Sequence, residues 1–132
     1  MAKKEDELPM AHDLITARLR ELPRGGRYRV LVDRLWPRGV RRDAELWEEW
    51  LKDVAPSAGL RQWYGHDVER HGRFAARYRE ELDAARGDPP LARLAELAAM
   101  RPVALLTATH RLEDSHVPIL AQFVRERLSS PG

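Results

Sequence analysis

Apolar and polar residues alternate through Leu14–Leu22, with Ile15, Ala17 and Leu19 on one face and Thr16, Arg18 and Arg20 on the other. A period of two predicts a half-buried strand. Pro23-Arg24-Gly25-Gly26-Arg27 is a turn signal, and Tyr28–Leu35 follows with Tyr-Arg-Val-Leu-Val, rich in β-branched and aromatic side chains. Two strands joined by a short glycine-containing loop read most simply as an antiparallel hairpin. Beyond Trp36-Pro37-Arg38-Gly39 the period changes. Leu46, Trp47, Trp50, Leu51 and Val54 form a helical stripe that Pro56 ends. Ser57 is the expected N-cap of a short helix carrying Leu60, Trp63 and Tyr64. Asp67 is that of the next, in which Phe74, Tyr78, Leu82 and Ala85 repeat up to a stop at Gly87. Asp88-Pro89-Pro90 opens another helix, its prolines in the first turn where a missing N–H costs least, and Leu91, Leu94, Leu97 and Ala98 form its buried face. Pro102 ends it. Val103–Leu106 is apolar on both faces, as an interior strand is. Ser115 caps a last helix with Val117, Leu120, Val124 and Leu128 on one side and Pro118 in its first turn.

The expected fold is therefore α/β, or α+β: one small domain over 14–128, with a short mixed sheet of about three or four strands layered with about five helices. A flexible lead-in, 1–13, and a tail, 129–132, flank it.

Composition narrows the chemistry. With 132 residues, 43% of them hydrophobic, the chain has material for one packed core. It has no cysteine, which excludes a disulfide scaffold, thiol catalysis, thiolate-bound zinc and iron–sulfur clusters. Lys+Arg 23 against Asp+Glu 21 leaves a net charge of only +2, and the cations are almost all arginine. No apolar run approaches the ~20 residues of a membrane span. The start, Met-Ala-Lys-Lys-Glu-Asp-Glu, has no apolar segment of a signal peptide, so a soluble cytoplasmic protein is expected. His66 and His71, and His110 and His116, do not have the i,i+4 spacing of a helical metal site. No glycine-rich nucleotide loop and no hydrolase or metalloprotease motif is present, so no cofactor or metal is expected.

Three stretches carry more special residues than folding demands. Asp33-Arg34-Leu35-Trp36-Pro37-Arg38-Gly39 lies at the carboxyl end of a predicted strand, where ligands collect in open α/β sheets. Arg34 and Arg38 could present guanidinium forks to a phosphate or carboxylate. The competing reading is a rigid corner with Trp36 in the core and Asp33 paired to an arginine, and spacing alone slightly favours it. Next, Arg61 and the His66-Asp67 pair could supply charge and proton transfer, although adjacent residues rarely aim at one point and Asp67 is also a helix cap. Finally, Thr107-Ala108-Thr109-His110 runs on to Ser115-His116 before a helix. These hydroxyls could form an anion cradle, or Ser115 could simply cap.

Tyr28-Arg29-Val30-Leu31-Val32-Asp33-Arg34-Leu35-Trp36-Pro37-Arg38-Gly39 resembles the signature of DUF488, YeaO-like type, a family of small uncharacterised bacterial proteins. Ala55-Pro56-Ser57, Leu60-Arg61, His66-Asp67 with Arg70, Phe74, Arg77-Tyr78 and Glu81-Leu82 follow in the family's order. Leu105-Leu106-Thr107-Ala108-Thr109, with Glu113 and Ser115, resembles its Thr-Ala-Thr branch. The likeness spans about Leu14 to Leu128. His110-Arg111-Leu112 and Pro118 depart from the usual pattern. The resemblance implies a compact α/β fold and no established reaction.

The sequence thus points to a site for a small anionic ligand, phosphate- or carboxylate-bearing, whether or not a reaction occurs there. Arg34, Trp36, Arg38, Arg61 and His66 would line one side and Thr107, Thr109 and Ser115 the other, with His66 the candidate acid–base because histidine titrates nearest neutrality. The alternative is nucleic-acid binding through Arg38, Arg41 and Arg42 or Arg70, Arg73 and Arg77, against which Asp43, Glu45, Glu48 and Glu49 leave little net field. A protein-interaction module, or a homodimer covering a sheet edge, is the third reading.

Overall fold

The computed structural model describes residues 13–21 and 25–129. Most of the lead-in, most of the tail and part of the Pro23–Arg27 turn lie outside the described residues. Four strands, β1 (Leu14–Arg18), β2 (Tyr28–Leu31), β3 (Glu49–Trp50) and β4 (Val103–Thr107), form one sheet in the order β1-β4-β2-β3. The described residues also form four α-helices: α1 (Ala58–Tyr64), α2 (His71–Ala84), α3 (Pro89–Met100) and α4 (Val117–Ser129). The fold is α/β, and no helix among the described residues is long and apolar enough to cross a membrane.

Every strand pairing is parallel, so the sheet is not mixed and β1 and β2 form no hairpin. β4 lies between them, with Leu14 opposite Val103 on one side and Tyr28 opposite Val103 on the other. The reason lies in β4, whose five residues are all buried. A strand apolar on both faces belongs in the interior of a sheet that is covered by a layer on each face, and an interior strand has a neighbour on each edge. The connection 19–27 can span ~30 Å when extended, enough to run back beside a five-residue strand before β2 begins. The turn signal falls between β1 and β2 but did not show which strands pair.

The sheet has two covered faces. Leu14, Val30, Val32, Val103 and Leu105 meet the helices in the main core, with Phe74, Tyr78, Leu94 and Leu120. Leu31, Ala104 and Leu106 face the opposite way, with Leu19, and are covered by Val40, Leu46, Trp47 and Trp50. This corrects the helix expected over Leu46–Val54. Leu46, Trp47 and Trp50 serve the second face, whereas Leu51 and Val54 reach the main core. The segment crosses the sheet edge as β3 and a 3-10 turn, Lys52–Val54, and its helical spacing arises from serving two cores in succession.

Local signals hold elsewhere. Ser57 Oγ accepts from the Leu60 N–H as the N-cap of α1, and Asp67 caps the 3-10 turn leading into α2. Pro89 and Pro90 open α3. α2 ends at Ala84, before the turn through Gly87.

Candidate functional site at the strand ends

β2 and β4 are neighbours whose chains leave in opposite directions. After β2 the chain crosses to the second face through Val40, Leu46 and Trp47; after β4 it enters α4 on the main-core face. Such a divergence opens a crevice beyond the carboxyl ends of parallel strands. A cavity of about 330 Å³ sits there, bounded by Asp33–Pro37, Ala55-Pro56, α1 with the following His66, Phe74, and the Ala108–His116 region.

Its floor is already hydrogen-bonded to a carboxylate of the chain. Asp33 Oδ1 accepts from Thr107 Oγ1 at 2.6 Å and Oδ2 from the Ala108 N–H at 2.8 Å. With its single proton given to Asp33, Thr107 Oγ1 accepts from the Thr109 N–H at 3.0 Å and from the Thr109 hydroxyl at 2.9 Å. Ser115 Oγ donates to Leu112 O and accepts from the Val117 N–H. Pro118 has no N–H to offer. Of the residues expected to cradle an anion, Thr107 and Thr109 thus form a network in which Asp33 sits, while Ser115 is bonded apart from them and the α4 terminus has little left for a ligand. Among the described residues Asp33 pairs with this network and with no arginine.

His116, 9% exposed, forms part of the same floor. Its Nε2 lies 2.9 Å from Val32 O. Because a carbonyl only accepts, Nε2 carries the proton. Burial lowers the ring's pKa; the Asp33 charge opposes this and Arg61 adds to it. His116 is thus a neutral, oriented imidazole, and its 3.8 Å approach to Asp33 is not an ion pair.

The arginines separate. Arg34 lines the cavity, but its Nε donates to Pro56 O and its Nη2 to Ala55 O, both at 3.0 Å, so it clamps the entry to α1. Trp36 lines it too, while its indole N–H holds Val40 O at 2.8 Å and its ring stands edge-on to Trp47 and Trp50. Arg38 lies outside. With Thr107, it borders a separate cleft on the other side of the strand ends. Arg61 lines the cavity, and its guanidinium has no hydrogen bond or ion pair among the described residues. His66, at the end of α1, has φ +61, a left-handed conformation uncommon outside glycine, and its ring lies 6.2 Å from that of Tyr64. Asp67 instead accepts from the Glu69 N–H and pairs with Arg70, so no His66–Asp67 dyad forms.

The cavity thus gathers Arg34, Trp36, Arg61, His66, Thr109 and Ser115 of the expected set, together with Asp33, His116, Gln62, Tyr64 and Phe74. The last two read as helix core, which they also are. His116 gave no sequence signal beyond its place after a capping serine. Asp33 did give one: a carboxylate directly after a buried Val-Leu-Val strand needs donors, and β4's Thr-Ala-Thr supplies them.

Comparison with known proteins places this architecture in a family. The model of DUF488-N3i, described as the inactive DUF488-N3 subclade, matches residues 16–131. The uncharacterised protein Rv3073c of Mycobacterium tuberculosis is 48% identical over 100 residues, covering 75% of this chain and 81% of its own. The uncharacterised protein YeaO of Escherichia coli is 36% identical over 98 residues, covering 74% and 84%. No solved structure matches the chain. A match across nearly the whole domain, with relatives at these identities, means that the chain belongs to the DUF488 family, in the subclade described as inactive.

Proposed function

We propose that this protein binds a small molecule with an anionic group in the strand-end cavity and does not transform it. The anion would rest on Arg61 beside His66, with the rest of the ligand against Trp36, Tyr64 and Phe74. The observation that carries this reading is Arg61: a guanidinium lining a cavity of about 330 Å³, without a partner among the described residues. That volume is within the ~300–1,000 Å³ usual for small-molecule sites. Binding without turnover is supported by the subclade's description as inactive and by the commitment of Thr107, Thr109 and Ser115 to internal hydrogen bonds. Nucleic-acid binding has less support, since Arg41 pairs with Asp43 and Arg70 with Asp67.

A thermal-shift panel of carboxylates, phosphates, sugar phosphates, nucleotides and short oligonucleotides at two salt concentrations tests it. A ligand at ~100 times its Kd adds ~2.7 kcal/mol to stability. The expected result is a small-molecule shift in the wild type that Arg61→Ala abolishes without altering the unliganded melt. A shift with oligonucleotides alone at low salt, or none at all, overturns the reading.

A further inference from the structure

Across the strand ends from the cavity lies a cleft of about 220 Å³ that the proposed ligand does not use. Its floor is the end of β4, Thr107–His110. One wall is the turn after β1, Arg18–Glu21, and the other is Pro37-Arg38 with Val40. The sequence builds both walls. Val40 N–H bonds to Pro37 O, and Gly39 between them has φ +78, as the third residue of a type II turn requires. The turn puts Arg38 at its corner, exposed and without a partner among the described residues. Arg20 Nη2 reaches Gly39 O only at 3.4 Å, a weak bond that leaves most of its fork unused. Arg18 is the buttress: it donates to His110 O and holds Glu21.

We propose that this cleft is a second anion site, separate from the cavity, and that it takes a phosphate group. Charge selects phosphate over carboxylate. Among the lining residues Arg18, Arg20 and Arg38 stand against one carboxylate, Glu21, which Arg18 engages; the Glu113 charge also acts on Arg18, so it is Arg20 and Arg38 that leave two positive charges free for a ligand. A phosphate dianion balances those two charges and has oxygens enough for two guanidinium forks at once; a monocarboxylate carries half the charge and matches one fork bidentately. His110, also lining the cleft, contributes a ring N–H in any protonation state.

The test is an amide NMR titration of the full chain with inorganic phosphate, with phenyl phosphate, and with acetate at matched ionic strength. Phosphate should shift the Arg20, Gly39, Thr109 and His110 amides saturably, and acetate should not. Arg38→Ala, at an exposed turn corner, and Arg20→Ala should each weaken phosphate by about tenfold, the loss of one charged hydrogen bond. Tighter binding of phenyl phosphate would assign a phosphomonoester, and equal binding phosphate itself; either supports the site. Shifts that never saturate overturn it, as does saturation indifferent to both substitutions. Saturation confined to the Gln62, Gly65 and His66 amides also overturns it, and would place the anion in the cavity proposed above, so the two readings fail separately.

Discussion

Arg34 and Arg38 stand four positions apart in one motif and carry different duties. Arg34 satisfies two backbone carbonyls, of Ala55 and Pro56, both buried residues. Arg38 is exposed on a turn and holds nothing among the described residues. Arg34→Ala should therefore cost about 1–3 kcal/mol, the penalty of buried acceptors left unpaired. Arg38→Ala should fall within about 0.5 kcal/mol of wild type, as surface substitutions usually do. Urea denaturation of both variants checks the pair; equal losses would show that Arg34's clamp contributes nothing of its own. The spacing of two arginines contains no information about which carbonyls the chain will bring near one of them. That is why the sequence grouped both as ligand candidates, whereas Arg34 lines the cavity with Nε and Nη2 already bonded to backbone carbonyls.

Helix α1 shows what a cap needs from elsewhere. Ser57 Oγ accepts from the Leu60 N–H at 3.2 Å and donates to Glu81 Oε2 at 2.6 Å, while the Ser57 N–H donates to Glu81 Oε1 at 2.9 Å. This is the reciprocity of a capping box, with the carboxylate supplied by α2 and not by α1 itself. Because Arg61, Gln62 and Tyr64 sit on α1, the contact also steadies one wall of the cavity. Glu81→Ala should destabilise the fold by about 0.5–2 kcal/mol, the range for losing a cap. Hydrogen exchange should rise across Ala58–Tyr64 more than across α4; an even rise would mean that Glu81 supports the whole core and not this cap. The cap serine was legible in the sequence because capping is a local competition for the first N–H groups. Its partner, twenty-four residues on, was not.

Burial of His116 ties the stability of the whole molecule to pH. Its pKa is lowered in the folded state, chiefly by desolvation. Below about pH 6.5 the unfolded chain takes up a proton that the folded ring refuses, so stability falls as the pH drops through the ordinary histidine range. The ion-paired carboxylates act in a lower window. The Arg29 hydrogen bond holds Glu48 below its usual value, and that from Arg93 does the same for Glu49. Their stabilisation is present above the unfolded carboxylate value, about 4.3, and is lost only as the pH falls further. Thermal melts from pH 7.5 to 5.5 should show a decline in wild type that flattens in His116→Gln, whose amide can still donate to Val32 O. A slope unchanged by the substitution would mean that His116 titrates alike in both states.

The helix caps, the proline-started helix, the doubly apolar central strand and the α/β class can all be read along the chain, because each rests on residues within a turn or two of one another. Strand pairing cannot: β4, apolar on both faces, takes the interior place between β1 and β2, and it lies more than seventy residues further along the chain than either. The apolar residues of Leu46–Val54 were equally visible, but folding divides them between two faces of the sheet, which no single period describes. The same holds for the site. Its arginines, histidines and hydroxyls were legible as chemistry, whereas their availability depended on contacts across the fold. Asp33 binds the hydroxyl network, backbone carbonyls occupy Arg34, and Arg38 faces another cleft, leaving Arg61 at the cavity. A side chain's type is written in the sequence; whether its hydrogen-bonding capacity is already spent follows from what the folded chain places against it.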